Sequence, residues 1–136
     1  MERTYVMLKP ETLQRGIMGE ILTRIERKGY KIVDMRMITL SDDILDAHYG
    51  HLKNDPYPKE AFGDVYKQMT AGPVIAMIVE GEFAIAGMRK MAGPTKVANR
   101  EPGTIRFDYC DSLTYSLIHT SDSEETAEIE IERFFA

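Results

Sequence analysis

Val74-Ile75-Ala76-Met77-Ile78-Val79 is the stretch that most restricts what this chain can fold into. Its unbroken apolar run, framed by Gly72-Pro73 and Gly81, reads as a strand buried on both faces and therefore central in its sheet. Tyr5-Val6-Met7-Leu8 is a second, nearly continuous apolar run and reads the same way. Pro10 brings no N–H to a ladder, so this strand ends at Lys9-Pro10. Lys9 is left at the strand's C-terminal end, where open sheets commonly place ligand-binding residues.

The remaining elements fall around these two strands. Ile17, Ile21, Leu22 and Ile25 repeat at helical spacing, with Gly29 as the stop. Residues 30–40 read as a second strand. Ser41-Asp42-Asp43 supplies an N-cap and an acidic first turn for a helix to about Leu52. After the breaker Asn54-Asp55-Pro56-Tyr57-Pro58, the period of Ala61, Phe62, Val65, Tyr66 and Met69 restores a helix, giving a helical hairpin. Phe83 to Met91 is an amphipathic helix closed by Gly93-Pro94. Residues 95–103 read as loop, and 104–111 fit neither pattern. Leu113 to Ile118 is the last strand, and a helix from about Ser123 to Phe134 follows. With the hairpin treated as an insertion, the order is βαββαβ. The expected class is α/β (α+β), a ferredoxin-like core with an inserted helical hairpin and a long loop before the last strand. Residues 1–136 are expected to form a single domain.

Composition bounds the function. The net charge of −5 argues against a nucleic-acid coat or a membrane-surface role, but leaves room for a local basic pocket. One cysteine, Cys110, forms no internal disulfide and no zinc framework. The first residues enter a strand-like run with no cationic-then-apolar leader, and no apolar run is long enough to span a bilayer. A cytoplasmic location is expected. Phosphate loops of the Gly-x-x-x-x-Gly-Lys-Ser/Thr and Gly-x-Gly-x-x-Gly types, a Gly-x-Ser-x-Gly elbow and a His-x-x-x-His pair are all missing from the sequence. No protein-held metal is expected.

The chemistry then centres on Ser116-Leu117-Ile118-His119-Thr120-Ser121-Asp122. A histidine leaves a strand end, and Ser121-x-x-Glu124 has capping-box spacing for the helix that follows. Helix N-termini suit phosphate, and a neutral imidazole can attack phosphorus. The same residues also describe a surface histidine beside an ordinary cap. Lys9, Arg89 and Arg106 stand at element ends, and Thr95 adds a hydroxyl. Converging on His119, they would hold a polyphosphate; separately, each is an ordinary surface charge.

The chain resembles the nucleoside diphosphate kinases over nearly its whole length. The resemblance rests on Glu2 to Pro10, Gln14 to Glu20, Lys28 to Val33, His48-Tyr49, Ala71 to Val74, Pro102 to Arg106 and His119 to Ser123. It implies a ping-pong phosphotransferase. A nucleoside triphosphate gives its γ-phosphoryl group to His119, and a nucleoside diphosphate collects it. By position, Lys9, Tyr49, Arg89, Thr95 and Arg106 contact the phosphates or their surroundings. Tyr57 stacks on the base, with Phe62 as the alternative. Ser116 stands at the sugar-contacting position, Glu130 orients the imidazole, and Ser121 supports that end. Mg²⁺ arrives on the nucleotide, and the chain assembles as a tetramer or hexamer. Ser116 replaces the family's Asn, Phe107 and Thr120 replace glycines, and Thr114-Tyr115 replaces Gly-Arg. Two rivals are a non-catalytic nucleotide-binding or regulatory ferredoxin-like relative, and a phosphohistidine phosphatase or carrier.

Overall fold

The computed structural model describes residues 1–49, 67–110 and 117–136. Among these, four strands, β1 (Glu2–Leu8), β2 (Lys31–Ile38), β3 (Val74–Gly81) and β4 (Ile118–Thr120), form one sheet in the order β2-β3-β1-β4. Every neighbouring pair is antiparallel. The helices that accompany it are α1 (Pro10–Gln14), α2 (Met18–Arg27), α3 (Asp42–Tyr49), α4 (Ala84–Ala92), α5 (Ile105–Tyr109) and α6 (Glu124–Phe135). This is the ferredoxin-like βαββαβ arrangement, with α3 between β2 and β3 and α6 after β4.

Strand alternation divides the core into two layers. Val6, Leu8, Ile75, Met77, Val79 and Ile118 face one side, packed with Ile21 and Ile25 of α2 and with Met88 and Ala92 of α4. Tyr5, Met7, Val74 and Ala76 face the other, packed with Leu45 of α3 and Phe134 of α6. β1 and β3 are the two inner strands, and both apolar runs are buried on both faces for that reason. β2 lies at an edge, has a bulge between Ile32 and Asp34, and leaves Met35 and Met37 about half exposed.

Several boundaries depart from the sequence reading. Pro10 ends β1 as expected and also opens α1, a short helix that the apolar spacing did not reveal. Ser41 caps α3 through Ile44 N–H at 3.3 Å. The helical pattern of the hairpin is seen again at residues 67–70; the rest of that hairpin, with Tyr57 and Phe62, lies outside the described residues. The 95–103 loop contains a single 3₁₀ turn at Val97–Asn99. Residues 105–109, which fitted no pattern, form α5, capped where the Thr104 hydroxyl accepts from Phe107 N–H at 3.2 Å.

The last strand requires a correction. Among the described residues it runs over Ile118–Thr120, past the Ile118 at which the expected strand stops, and Leu117 is no part of it; residues 111–116, Ser116 included, lie outside the described residues. Leu117 cannot extend it, because its φ is +65°, in the left-handed region where a branched residue is strained. Its carbonyl accepts from Lys9 N–H at 2.8 Å and from the Thr12 hydroxyl at 2.7 Å, and these bonds with its burial hold the kink. The capping box is corrected as well. The N-cap of α6 is Ser123, whose hydroxyl accepts from Thr126 N–H at 3.1 Å, and Ser121 is used elsewhere.

Candidate active site

Strand pairing positions the histidine. Met7 lies opposite His119 across the β1–β4 ladder, so the imidazole shares the sheet face of Tyr5 and Met7, the face that α3 and α6 cover. Ile118, one residue earlier, goes into the opposite layer. The positive φ at Leu117 kinks the chain two residues before the histidine.

His119 Nε2 lies 2.7 Å from Glu130 Oε2, and the other carboxylate oxygen accepts from the Ser121 hydroxyl at 2.5 Å. Glu130 is nearly fully buried, and Ser121 is completely so. A buried carboxylate is acceptor-only when ionised, so the ring proton of His119 belongs on Nε2. Nδ1 then carries the lone pair. About a quarter of the His119 side chain remains open to solvent. Glu130 thus stands beside the histidine, with Ser121 behind it.

A further residue was missed. His48 of α3 packs edge-on against His119, with ring centroids 4.6 Å apart, and its Nδ1 is 3.5 Å from Glu130 Oε2. The sequence signal was the His48-Tyr49 pair, which was used only for Tyr49; the described structure fixes Tyr49 only as the last residue of α3. His48, His119 and Glu130 bring their ligating atoms within 4.8 Å of one another. A divalent cation there is disfavoured, because the Arg133 guanidinium already occupies His48 Nδ1 at 2.9 Å. His119 and Glu130 are hydrogen-bonded to each other, and His48 packs against both.

Arg106 is buried; Nη1 donates to Gly93 O and Nη2 to Ile118 O, at 2.7 Å, while Nε has no partner. Burial, then the charges of Arg100 and Arg89, push the Arg106 pKa down to about 10. Burial and the charge of Arg106 push the Lys9 ammonium down to about 8. Arg106 therefore lies in the field of Lys9 and of Arg89. Arg89 also reaches Asp122 O, at 3.4 Å. Thr95 is exposed, and its carbonyl accepts from the buried Arg100 at 2.9 Å. Gly93 permits this convergence. Its φ is +88°, and a Cβ there would stand 2.7 Å from the Thr104 side chain that caps the helix carrying Arg106.

The chain matches the family model described as nucleoside diphosphate kinase over residues 2–136. It belongs to that family. A nucleoside diphosphate kinase of Parabacteroides distasonis is 49% identical over 135 residues, covering 99% of this chain and 86% of the relative. One from Prochlorococcus marinus is 45% identical over 136 residues, covering 100% and 87%. The crystal structure of the Encephalitozoon cuniculi nucleoside diphosphate kinase superposes with a TM-score of 0.90 at 35% identity, covering 99% of this chain and 89% of that one.

The lowered Lys9 pKa gives a measurable consequence. Between about pH 8 and the ordinary lysine value of 10.5, the unfolded chain binds a proton that the folded chain has lost. Stability of the nucleotide-free protein should therefore rise with pH through that window. A phosphate bound beside Lys9 would reverse the balance by favouring the ammonium. Calorimetric titration of a nucleoside diphosphate near pH 8.5, in buffers of differing ionisation enthalpy, should report uptake of a fraction of a proton approaching one. Lys9→Met should abolish it. Arg106 stays charged at that pH, so uptake persisting in Lys9→Met would assign the proton elsewhere.

Proposed function

We propose that this chain, as one domain over residues 1–136, is a nucleoside diphosphate kinase. It transfers the γ-phosphoryl group of a nucleoside triphosphate to a nucleoside diphosphate through phospho-His119. The observation that carries this reading is the 2.7 Å contact between His119 Nε2 and the buried Glu130 carboxylate, an acceptor that suits a proton on Nε2 and leaves the Nδ1 lone pair as the nucleophile. In the first half-reaction Nδ1 attacks the γ-phosphorus, the bond to the β–γ bridging oxygen breaks, and the nucleoside diphosphate leaves. Positive charge that develops on the ring is balanced by the Glu130 carboxylate, itself steadied by Ser121. In the second half-reaction a β-phosphate oxygen of another diphosphate attacks the same phosphorus, and Nδ1 regains its lone pair.

Lys9, Arg106 and Arg89 are read as the groups that neutralise the transferring phosphoryl and the leaving oxygen, with Thr95 beside them. Tyr49 is read as a phosphate neighbour, Tyr57 as the base-stacking ring and Ser116 as the sugar contact. Mg²⁺, when bound to the nucleotide phosphates, spreads their charge and orients them. A nucleotide-borne ion suits this chain. Glu130 is committed to His119 and Ser121, and the neighbouring side chains are cationic, so the metal has to come with its own anion.

Among the described residues, no helix is long and apolar enough to cross a membrane. A cytoplasmic location fits the single, buried Cys110. Assembly into a tetramer or hexamer is supported by β2, an edge strand whose exposed Met35 and Met37 would be covered by a second copy.

The deciding experiment supplies γ-labelled ATP, then GDP. Label passing from ATP to protein and on to GTP is the expected result. Binding without protein labelling would instead indicate a regulatory nucleotide-binding module. Label appearing only as free phosphate would indicate a phosphatase.

A further inference from the structure

We infer that Arg133 is a positioning residue for the phosphotransfer: by donating to His48 Nδ1 it fixes that histidine as an acceptor and leaves the Glu130 carboxylate to His119. The inference rests on the reading of His119 as nucleophile. Arg133 follows Glu130 by three residues on α6, so the two side chains share one face of the helix. Its Nη1 lies 2.9 Å from His48 Nδ1. A guanidinium donates through all of its N–H groups and accepts nothing, so Nδ1 of His48 must carry a lone pair and its ring proton must sit on Nε2.

That tautomer matters because the same ring nitrogen also faces Glu130. His48 Nδ1 is 3.5 Å from the same Glu130 oxygen that His119 Nε2 reaches at 2.7 Å. A proton on Nδ1 would turn His48 into a second donor to that oxygen. With both groups only 3% and 5% exposed, an ion pair between a cationic His48 and Glu130 would be little screened by water. Glu130 would then be drawn toward α3, and its hold on His119 would weaken. Arg133 opposes this twice: it occupies the lone pair that the proton would need, and it places a permanent positive charge beside the ring.

Several charged or titratable groups of the described residues face His48. Glu130 and Arg133 come from α6, His119 from β4 and Tyr5 from β1, the last with ring centroids 6.4 Å away. On its own helix the nearest acidic residue in sequence, Asp46, is exposed. Arg133 is the cation of this group that never titrates in the working range. Removing it should let His48 take up a proton at higher pH, and the damage should appear as acid sensitivity.

The test compares Arg133→Met and Arg133→Lys with the parent. Ring-nitrogen NMR of histidine-labelled protein should place the parent's His48 proton on Nε2 near pH 8. The kcat/KM profile of Arg133→Met should show its acid limb moved to higher pH, with a loss between pH 8 and pH 6 that is about 3- to 10-fold deeper than the parent's. Arg133→Lys, which keeps a donor and a charge, should restore most of the parent profile. An Nδ1–H tautomer of His48 in the parent overturns the inference. An acid limb that does not move in Arg133→Met overturns it too, even if activity and melting temperature fall equally at every pH, since that pattern describes lost helix packing. Failure of the parent to form phosphohistidine would remove the reading beneath the inference, a separate outcome that the same labelled samples report.

Discussion

Replacing His119 with alanine is expected to abolish the phosphoenzyme and to lower kcat/KM by a factor on the order of 10⁴ or more, the scale on which losing a nucleophile acts. Among the described residues the geometry leaves no substitute. His48 is the adjacent histidine, but it is almost fully buried and its Nδ1 is taken by Arg133. Ser121, also adjacent, is completely buried and donates to Glu130. The alanine variant also deprives a buried carboxylate of one donor, which costs about 1–3 kcal/mol of stability. A low activity could therefore reflect poor folding. His119→Gln separates the two effects, since its amide N–H can satisfy Glu130 while offering no nucleophilic lone pair. Gel-resolved labelling with γ-labelled ATP, read for the acid-labile and base-stable behaviour of a phosphoramidate, should be blank for both variants. A folded His119→Gln that labels as well as the parent would remove His119 from the mechanism.

What the sequence made legible, and what it hid, follows the range of the interactions involved. The strands β1 and β3 announced themselves because both faces of each are covered, and a short unbroken apolar run between turn signals suits such a strand best. α2 and α4 were readable from their helical period and from the glycines that follow them, Gly29 and Gly93, both at positive φ. β4 was misplaced because three residues give no alternation to read; its extent is set by pairing with Val6, Met7 and Leu8. α1 and α5, with five residues each, are shorter than two turns and have no period either. The cap of α6 was taken one step early because two serines stand two residues apart, and only the third dimension assigns Ser121 to Glu130 and Ser123 to the helix. His48 was overlooked for the same reason. Nothing in its own helix indicates that β4 and α6 will bring His119 and Glu130 against it. The site residues named from sequence were carried by family resemblance, since element boundaries alone left each cation with an equally good life on the surface.

Arg106→Ala is expected to reduce the turnover number by about 10²–10³-fold while changing the Michaelis constant far less, the signature of an interaction made mainly in the transition state. The structure gives the reason in its donors. A guanidinium carries five N–H groups; here one nitrogen serves Gly93 O, another serves Ile118 O, and the buried Nε serves nothing. A buried unpaired donor costs roughly 1–3 kcal/mol, and that cost is relieved when an acceptor arrives. Phosphoryl oxygens gaining charge during transfer are such acceptors, and the neighbouring Arg89 and Arg100, whose charges already depress the Arg106 pKa, strengthen the demand for one. The two backbone bonds set the side chain in place before substrate binds, tying the end of α4 to β4 beside His119. Alanine loses both functions at once, so its melting temperature should fall as well. Arg106→Lys keeps the charge but cannot span Gly93, Ile118 and a phosphate together, because an ammonium is a single point on a flexible stem. It should fold better than the alanine variant yet recover only part of the turnover. Steady-state kinetics with melting curves on all three proteins separates the roles. An Arg106→Ala enzyme that keeps its turnover number and loses only apparent affinity would make Arg106 a binder of ground-state phosphate, and the transition-state charge would then have to be met by Lys9 and the nucleotide's own metal.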